Sequence, residues 1–417
     1  MATQGRTSFG GALRVREFRA LWIAELFSVV GDQLARVALS LLVYTRTSSA
    51  ALTALTYALT FVPSVLGGAL LSGLADRYPR RAVLVVTDVA RAVLAGLMAL
   101  PWLPLPALWV CVALLSVGAG PFKAAQLAIL PQILEGEAYS AGLALRQFTS
   151  QTAQLVGFAG GGLLLAAVEP HIALAANAAT FVASALLVLG GVQSRPAPAN
   201  AAATGTGAAE RPRPGGFDGR LAALYVVVSL TGLYVVPEGI AAPYAHDIGA
   251  AAVGLGLLMA ADPLGSALGA WLTTRVAMPA TLTTIATLAA VAGLPLAACV
   301  FRPGLVVSMV LWAGSGLLGT AYLIKAQTMV VEVVPDHRRG RVMGRMTTCL
   351  YASQGLAILG GGVVTQLADP FRTVAGAGVI ATLLAVPTGV AGWRATRARH
   401  RDEPTAQPGS PVLSTQD

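Results

Sequence analysis

Gly118-Ala119-Gly120-Pro121-Phe122-Lys123-Ala124-Ala125-Gln126 closes a long apolar run, and its last two residues return as Ala326-Gln327 at the end of another. Working outward, Gly31 returns as Gly232, and the triple glycine Gly160-Gly161-Gly162 returns as Gly360-Gly361-Gly362. One register of about 201 residues covers the whole chain, which therefore reads as two copies of one unit. A parallel duplication made of membrane-length apolar segments is the ground plan of a transporter with two six-helix halves.

The composition agrees. Hydrophobic residues are 55%, charged residues 11%, and the mean hydropathy is +0.70. A soluble domain needs about 25% charged residues to cover its surface. A spanning helix takes roughly 20 mainly apolar residues, and twelve such spans are expected: Ala20–Tyr44, Ala50–Gly73, Ala82–Trp102, Ala107–Phe122, Ala141–Ala167, Ile172–Val192, Leu221–Pro243, Ala251–Thr274, Ala280–Phe301, Gly304–Ile324, Val342–Leu367 and Thr373–Trp393. Only helices or closed barrels satisfy their backbone in lipid. Long, non-alternating runs exclude the barrel, so the fold class is an all-α membrane protein of two pseudo-symmetric six-helix bundles. Residues 1–192 form the first, 193–219 a flexible linker rich in Ala, Pro and Gly, and 220–417 the second, with a disordered tail from about 402.

Charge sets the topology. Of the 28 basic residues, 23 fall at the termini, in the linker or in alternate loops on one side, which places both termini in the cytoplasm. The same loops facing an anionic leaflet account for the net charge of +9 with membrane lipid and no nucleic acid as partner. The first apolar run is too long for a signal-peptide core. Cys111, Cys299 and Cys349 are widely separated in or at the ends of spans, so neither metal nor redox spacing is present. Gly314-Ser315-Gly316-Leu317-Leu318-Gly319 matches a dinucleotide fingerprint only formally, because it lies inside a span with no strand before it. With no phosphate-binding glycine-lysine loop and no room for a soluble catalytic domain, the chain is expected to be no enzyme and to need no cofactor.

Acidic residues deep in hydrocarbon are costly, at least about 2.5–3.5 kcal/mol each. Asp32 lies 13 residues beyond Arg19 and Asp262 lies 13 residues before Arg275, each about 20 Å in. Arg36 and Glu25 share the helix face of Asp32, and the stripe is expected to face a water-filled cavity. Asp32 then binds a proton or a cationic group with Arg36 tuning it, or forms an internal pair with Arg36 that only orients the helix. Asp262, just before Pro263, serves the same function or satisfies backbone freed by a kink. Glu238, 18 residues from Arg220, is expected at the outer surface in solvent. Asp88 and Arg91 read as a neutralising pair. Tyr322 and Trp312 are available to an apolar central cavity.

Ser72-Gly73-Leu74-Ala75-Asp76-Arg77-Tyr78-Pro79-Arg80-Arg81 resembles the G-x-L-A-D-R-x-G-R-R signature between helices two and three of the major facilitator superfamily, departing from it at Ser72 and Pro79. Gly31-Asp32, Arg36-Val37-Ala38-Leu39, Leu42-Val43-Tyr44, Thr47, Ser49, Asp88, Arg91-Ala92 and Arg339-Gly340-Arg341-Val342-Met343-Gly344 extend the likeness toward the exporter branch that includes enterobactin and macrolide efflux proteins. The resemblance implies a cytoplasmic latch in which Asp76 meets the start of the eleventh helix near Arg341 and Gly344, while Arg77, Arg80 and Arg81 pair with acids across the gap. Gly157-Phe158-Ala159-Gly160-Gly161 is similar to the fifth-helix glycine motif of antiporters, with Phe158 where that motif has proline. Gly157, Gly160, Gly161 and Gly361 are accordingly expected to pack helices closely.

The expected function is export of a small amphipathic organic molecule, a drug, antibiotic or siderophore-like metabolite, by alternating access in a bacterial inner membrane. Protons are the coupling ion and no obligate protein partner is evident. The alternatives are an importer or an exchanger of lipid-like molecules on the same fold, and a transport-inactive membrane sensor.

Overall fold

The computed structural model describes residues 9–71, 73–196 and 219–402. Before the linker come α1 (Phe9–Arg14), α2 (Arg16–Thr47), α3 (Ala50–Ala58), α4 (Val62–Leu71), α5 (Leu74–Arg77), α6 (Arg80–Met98), α7 (Leu105–Ile133), α8 (Gly136–Leu165) and α9 (Pro170–Gly191). After it come α10 (Gly219–Ser229), α11 (Thr231–Gly239), α12 (Ala241–Asp247), α13 (Ala252–Arg275), α14 (Leu282–Ala297), α15 (Leu305–Val333), α16 (Asp336–Leu367) and α17 (Pro370–Asp402). Among the described residues there is no strand.

Among the described residues, ten stretches of helix are long and apolar enough to cross a membrane. The other two expected spans fall on α6 and α8, where Arg80, Arg81, Asp88 and Arg91, and then Arg146, Gln147, Gln151 and Gln154, dilute the apolar character. Several helices outrun the spans read from sequence. α7 continues to Ile133 and α15 to Val333, while α16 begins at Asp336, because a helix can leave the bilayer while its backbone stays paired. Lys123, just beyond the expected fourth span, is therefore helical, as is Arg146 inside the fifth. The linker residues 197–218 and the tail beyond 402 lie outside the described residues.

Two spans are broken, and proline explains one break in each; α10 and α11 are also parted at Leu230, whose N–H bonds back to Val227 in a tight turn. Between α3 and α4, Pro63 cannot donate to Leu59, and the chain passes through tight turns in which Thr60 and Phe61 bond back to Tyr57 and Ala58. Between α11 and α12, Pro243 cannot donate to Gly239, and the helix steps at Ile240. Irregular backbone at such depth is tolerated where protein or a cavity covers it.

The two copies pack alike. Gly67 of α4 lies against the backbone of Val117 on α7, and Gly269 of α13 lies likewise against Leu317 on α15. Gly161 of α8 touches Val37 and Leu34 of α2, as Gly361 of α16 touches Val236 of α11. Between the halves, α8 meets α13 and α3 meets α16. A Cβ on Gly162 would sit 2.7 Å from the Gly256 Cα, and one on Gly362 would strike the Ala54 side chain. Residues 162 and 362, and 54 and 256, are equivalent by the sequence register, so one contact is made twice. In hydrocarbon, where lipid matches apolar side chains, such close approach is what holds helices together. The outer surface is apolar, with Leu70, Val86, Leu163, Leu186 and Leu367 all exposed.

Among the described residues, the hydrogen bonds and ring contacts between the halves run from mid-helix to the ends away from the basic loops. Ser49 bonds Gln366, the Tyr44 ring meets His246, Tyr57 bonds Glu238, and Phe61 meets Tyr351. That end of the bundle is drawn shut.

Candidate transport site

The charges expected on one stripe of α2 go to three different partners. Asp32 does not pair with Arg36. Its Oδ2 accepts from Nη2 of Arg91 on α6 at 2.7 Å. Arg91 also stands 3.7 Å from Asp88, donates to Ser28 at 3.2 Å, and stacks 4.1 Å over the Phe181 ring. Ser184 of α9 donates to Asp88 at 2.5 Å. The intrahelical pair expected of Asp88 and Arg91 is thus one side of a triad tying α2, α6 and α9. The i,i+4 spacing of Asp32 and Arg36 offered a local partner, and tertiary packing supplied a nearer one. Asp88 is fully buried and Arg91 is 4% exposed. With both carboxylates ionised, the single guanidinium leaves one negative charge uncompensated within the triad.

Asp32 faces a cavity of about 70 Å³ shared with Arg36, Arg91, Thr60, Ser116 and Asn177. Those polar side chains, set among Leu39, Met98, Val112 and Leu115, give a water partners there. The Asn177 amide nitrogen and the Gln33 amide oxygen are buried beside these helices without a protein partner. Glu25 lies elsewhere. Its two oxygens grip Arg146 of α8 at 2.6 and 2.9 Å, a closed bidentate pair joining α2 to α8.

Arg36 turns toward the other half. Its guanidinium carbon is 5.7 Å from the Tyr57 ring centre and 5.1 Å from that of Phe61. The Tyr57 hydroxyl donates across the halves to Glu238 on α11. Glu238 is 8% exposed, which corrects the expectation of a solvated residue. Counting from Arg220 gave its depth along the helix but could not show that α3 of the other half covers it. Pro243, which interrupts its span, and the neighbouring Pro237 were the available signal. Asp262 packs inward: a Cβ on Gly316 of α15 would meet its Oδ1 at 2.6 Å. It lies beside Ser266 and within reach of the Glu238 charge.

Tyr322 and Trp312 do not line an open cavity. Tyr322 is 0% exposed, with its hydroxyl 2.5 Å from that of Thr231, and Trp312 is 2% exposed against the Tyr244 ring. Both fill the core of the second half.

The loop arginines also differ from expectation. Arg80 donates to the Ala128 carbonyl at 2.7 Å and Arg81 to the Leu189 carbonyl, so both serve the last turns of α7 and α9 in their own half. Arg77 is exposed. The side chains of Asp76 and Arg341 lie outside the described residues, and a Cβ on Gly344 would meet nothing within 4 Å. Each member of the triple glycine behaves differently. Gly157 and Gly161 pack on α2, Gly162 meets the other half, and Gly160 has open space around its Cβ position, so the close contact expected of it is absent.

A model of the Major Facilitator Superfamily matches residues 21–236. The multidrug efflux pump Tap of Mycobacterium tuberculosis (strain ATCC 25618 / H37Rv) is 30% identical over 419 residues, covering 94% of this chain and 97% of that protein. The chain belongs to the Major Facilitator Superfamily. The enterobactin exporter EntS of Shigella boydii serotype 4 (strain Sb227) is 29% identical over 395 residues, covering 88% and 90%. Among solved structures, the bacterial homolog of the human lysosomal transporter Spinster in inward-facing and occupied conformation superposes with a TM-score of 0.72 at 14% identity, covering 91% and 96%. A bacterial homologue of the iron transporter ferroportin in the inward-facing state gives 0.68 at 14%, covering 90% and 98%. The fold and family are those of multi-pass membrane transporters, and the curated relatives named here are exporters.

Proposed function

We propose that the chain is a twelve-helix secondary active transporter of a bacterial inner membrane, with both termini cytoplasmic and residues 193–219 linking its two bundles. It exports a small amphipathic organic molecule in exchange for protons by alternating access. The observation that carries this reading is the placement of the carboxylates. Asp32, Glu238 and Asp262 all point inward, beneath an end of the bundle that is sealed between the halves. A buried charge that stabilises nothing by itself is retained where it binds something.

In this reading Asp32 carries the proton. The Asp32–Arg91–Asp88 triad holds one surplus negative charge, and a proton arriving through the polar cavity removes it. Asp262, with no basic partner among the described residues, is the second candidate. The relatives' exporter activity supports the direction, since EntS and Tap are named for moving molecules outward.

Inside-out vesicles loaded with the protein test this. Fluorescent amphipathic dyes are expected to accumulate when the vesicle interior is made acidic, and Asp32→Asn is expected to abolish the dependence on the gradient. Accumulation by Asp32→Asn equal to that of the wild type rules out the coupling role.

A further inference from the structure

Proton exchange through Asp32 leaves Arg36 without a task, yet its surroundings are specific. Tyr57 and Phe61 present ring faces to its guanidinium at 5.7 and 5.1 Å. Its positive charge acts on both Tyr57 and Glu238, which are themselves joined through the Tyr57 hydroxyl. Tyr351 of α16 borders the group, its ring centre 6.4 Å from that of Phe61. Glu238, nearly buried, accepts the Tyr57 hydroxyl. Aromatic faces and one carboxylate, drawn from both halves, thus surround one organic cation, and that cation is the protein's own side chain.

Among the described residues Arg36 forms no ion pair within 4 Å, and it is only partly buried. It also borders the cavity of about 70 Å³ that holds Asp32, four residues earlier on the same helix face. Its side chain therefore has a second carboxylate to move toward. Its departure would leave Glu238 with the Tyr57 hydroxyl alone and without a neighbouring positive charge, which a buried carboxylate tolerates poorly. Another cation in its place restores that charge. A neutral or anionic molecule does not.

We propose that Arg36 is a stand-in ligand, and that the box of Tyr57, Phe61, Tyr351 and Glu238 receives the cationic end, a guanidinium or protonated amine, of the exported molecule. This rests on the exporter reading above and adds the substrate's charge to it. The ring faces attract a cation and not its neutral isostere, so charge is the selected property and the apolar remainder of the molecule is free to vary.

Binding to purified full-length protein in lipid nanodiscs separates this proposal from transport. The probes are N-hexylguanidinium and its neutral, planar isostere N-hexylurea, titrated by calorimetry. Arg36→Ala empties the box and is expected to bind hexylguanidinium at least tenfold more tightly than the wild type, with no gain for hexylurea. Arg36→Ala combined with Glu238→Gln is expected to lose that gain. Arg36→Gln replaces Arg36→Ala if the latter does not purify as a monodisperse species, and Phe61→Ala in the wild-type background is expected to weaken hexylguanidinium binding. No gain in the Arg36 variants, or an equal gain for hexylurea, overturns the proposal. If the gain is absent while wild-type vesicles still accumulate dye on acidification, the cation box is wrong and the exporter reading stands. If the gain is present while vesicles accumulate nothing, the box stands as a cation site and the exporter reading is wrong.

Discussion

Gly162→Ala is the smallest change that should open the sealed end. The added Cβ would lie 2.7 Å from the Gly256 Cα, 2.8 Å from the Ala252 carbonyl oxygen and 3.0 Å from the Gly256 nitrogen. Carbon atoms prefer about 3.5–4.0 Å, and every one of these contacts is backbone, so no side chain can swing away. The α8 and α13 helices must part by about 1 Å. Overpacking of this kind costs about 1–3 kcal/mol, which lowers the population of the sealed state roughly 5- to 150-fold relative to the unsealed one. Ser49 and Gln366, bonded at 3.2 Å across the seal, provide the reporter. With Cys111, Cys299 and Cys349 replaced by alanine, cysteines at 49 and 366 are joined by a short bifunctional thiosulfonate. The parent is expected to cross-link readily and Gly162→Ala several-fold less. Gly160→Ala, whose Cβ meets nothing within 4 Å, is the control and should cross-link like the parent. Equal cross-linking in both variants, or equal loss in both, refutes the argument from backbone contact.

Two further changes separate sealing from stability. Tyr57→Phe deletes the hydroxyl that Glu238 accepts across the halves; a hydrogen bond to a charged group is worth about 1.5–3 kcal/mol, so cross-linking at the same reporter pair should fall roughly ten- to hundredfold. Glu25→Gln breaks the bidentate pair with the nearly buried Arg146; it should lower the melting temperature in detergent through a loss of about 1–3 kcal/mol, while the acidification dependence of vesicle uptake stays as in the wild type.

The architecture was legible because it rests on repetition. The 201-residue register in the sequence returns as paired backbone contacts, Gly67 on Val117 with Gly269 on Leu317, and Gly162 on Gly256 with Gly362 on Ala54. Among the described residues hydropathy matches ten of the twelve expected spans but not their full helical lengths, since α7, α15 and α16 run beyond the ends read from sequence. The candidate site was legible only in part. Asp32 and Asp262 were marked by the cost of burying a carboxylate, and both face inward. Their partners were not legible. Arg91 reaches Asp32 from another helix, and the intrahelical Arg36 turns away to aromatic rings. Glu238 was missed because depth along a helix says nothing of what covers its side, and Tyr57 comes from the other copy, 181 residues away in sequence. Trp312 and Tyr322 looked available because aromatic residues serve cores and cavities equally well, and here the core takes both.

The claim beneath all of this is that the two halves seal one end of the bundle at a time. Spin labels at Ser48 and Leu367 report the end sealed here, and labels at Arg77 and Arg345 report the basic end. Pulsed electron–electron distance measurements across a pH series should show the two distances changing in opposite directions, one population lengthening as the other shortens. Distances that rise and fall together, or that stay fixed at every pH and with bound cation, would contradict it.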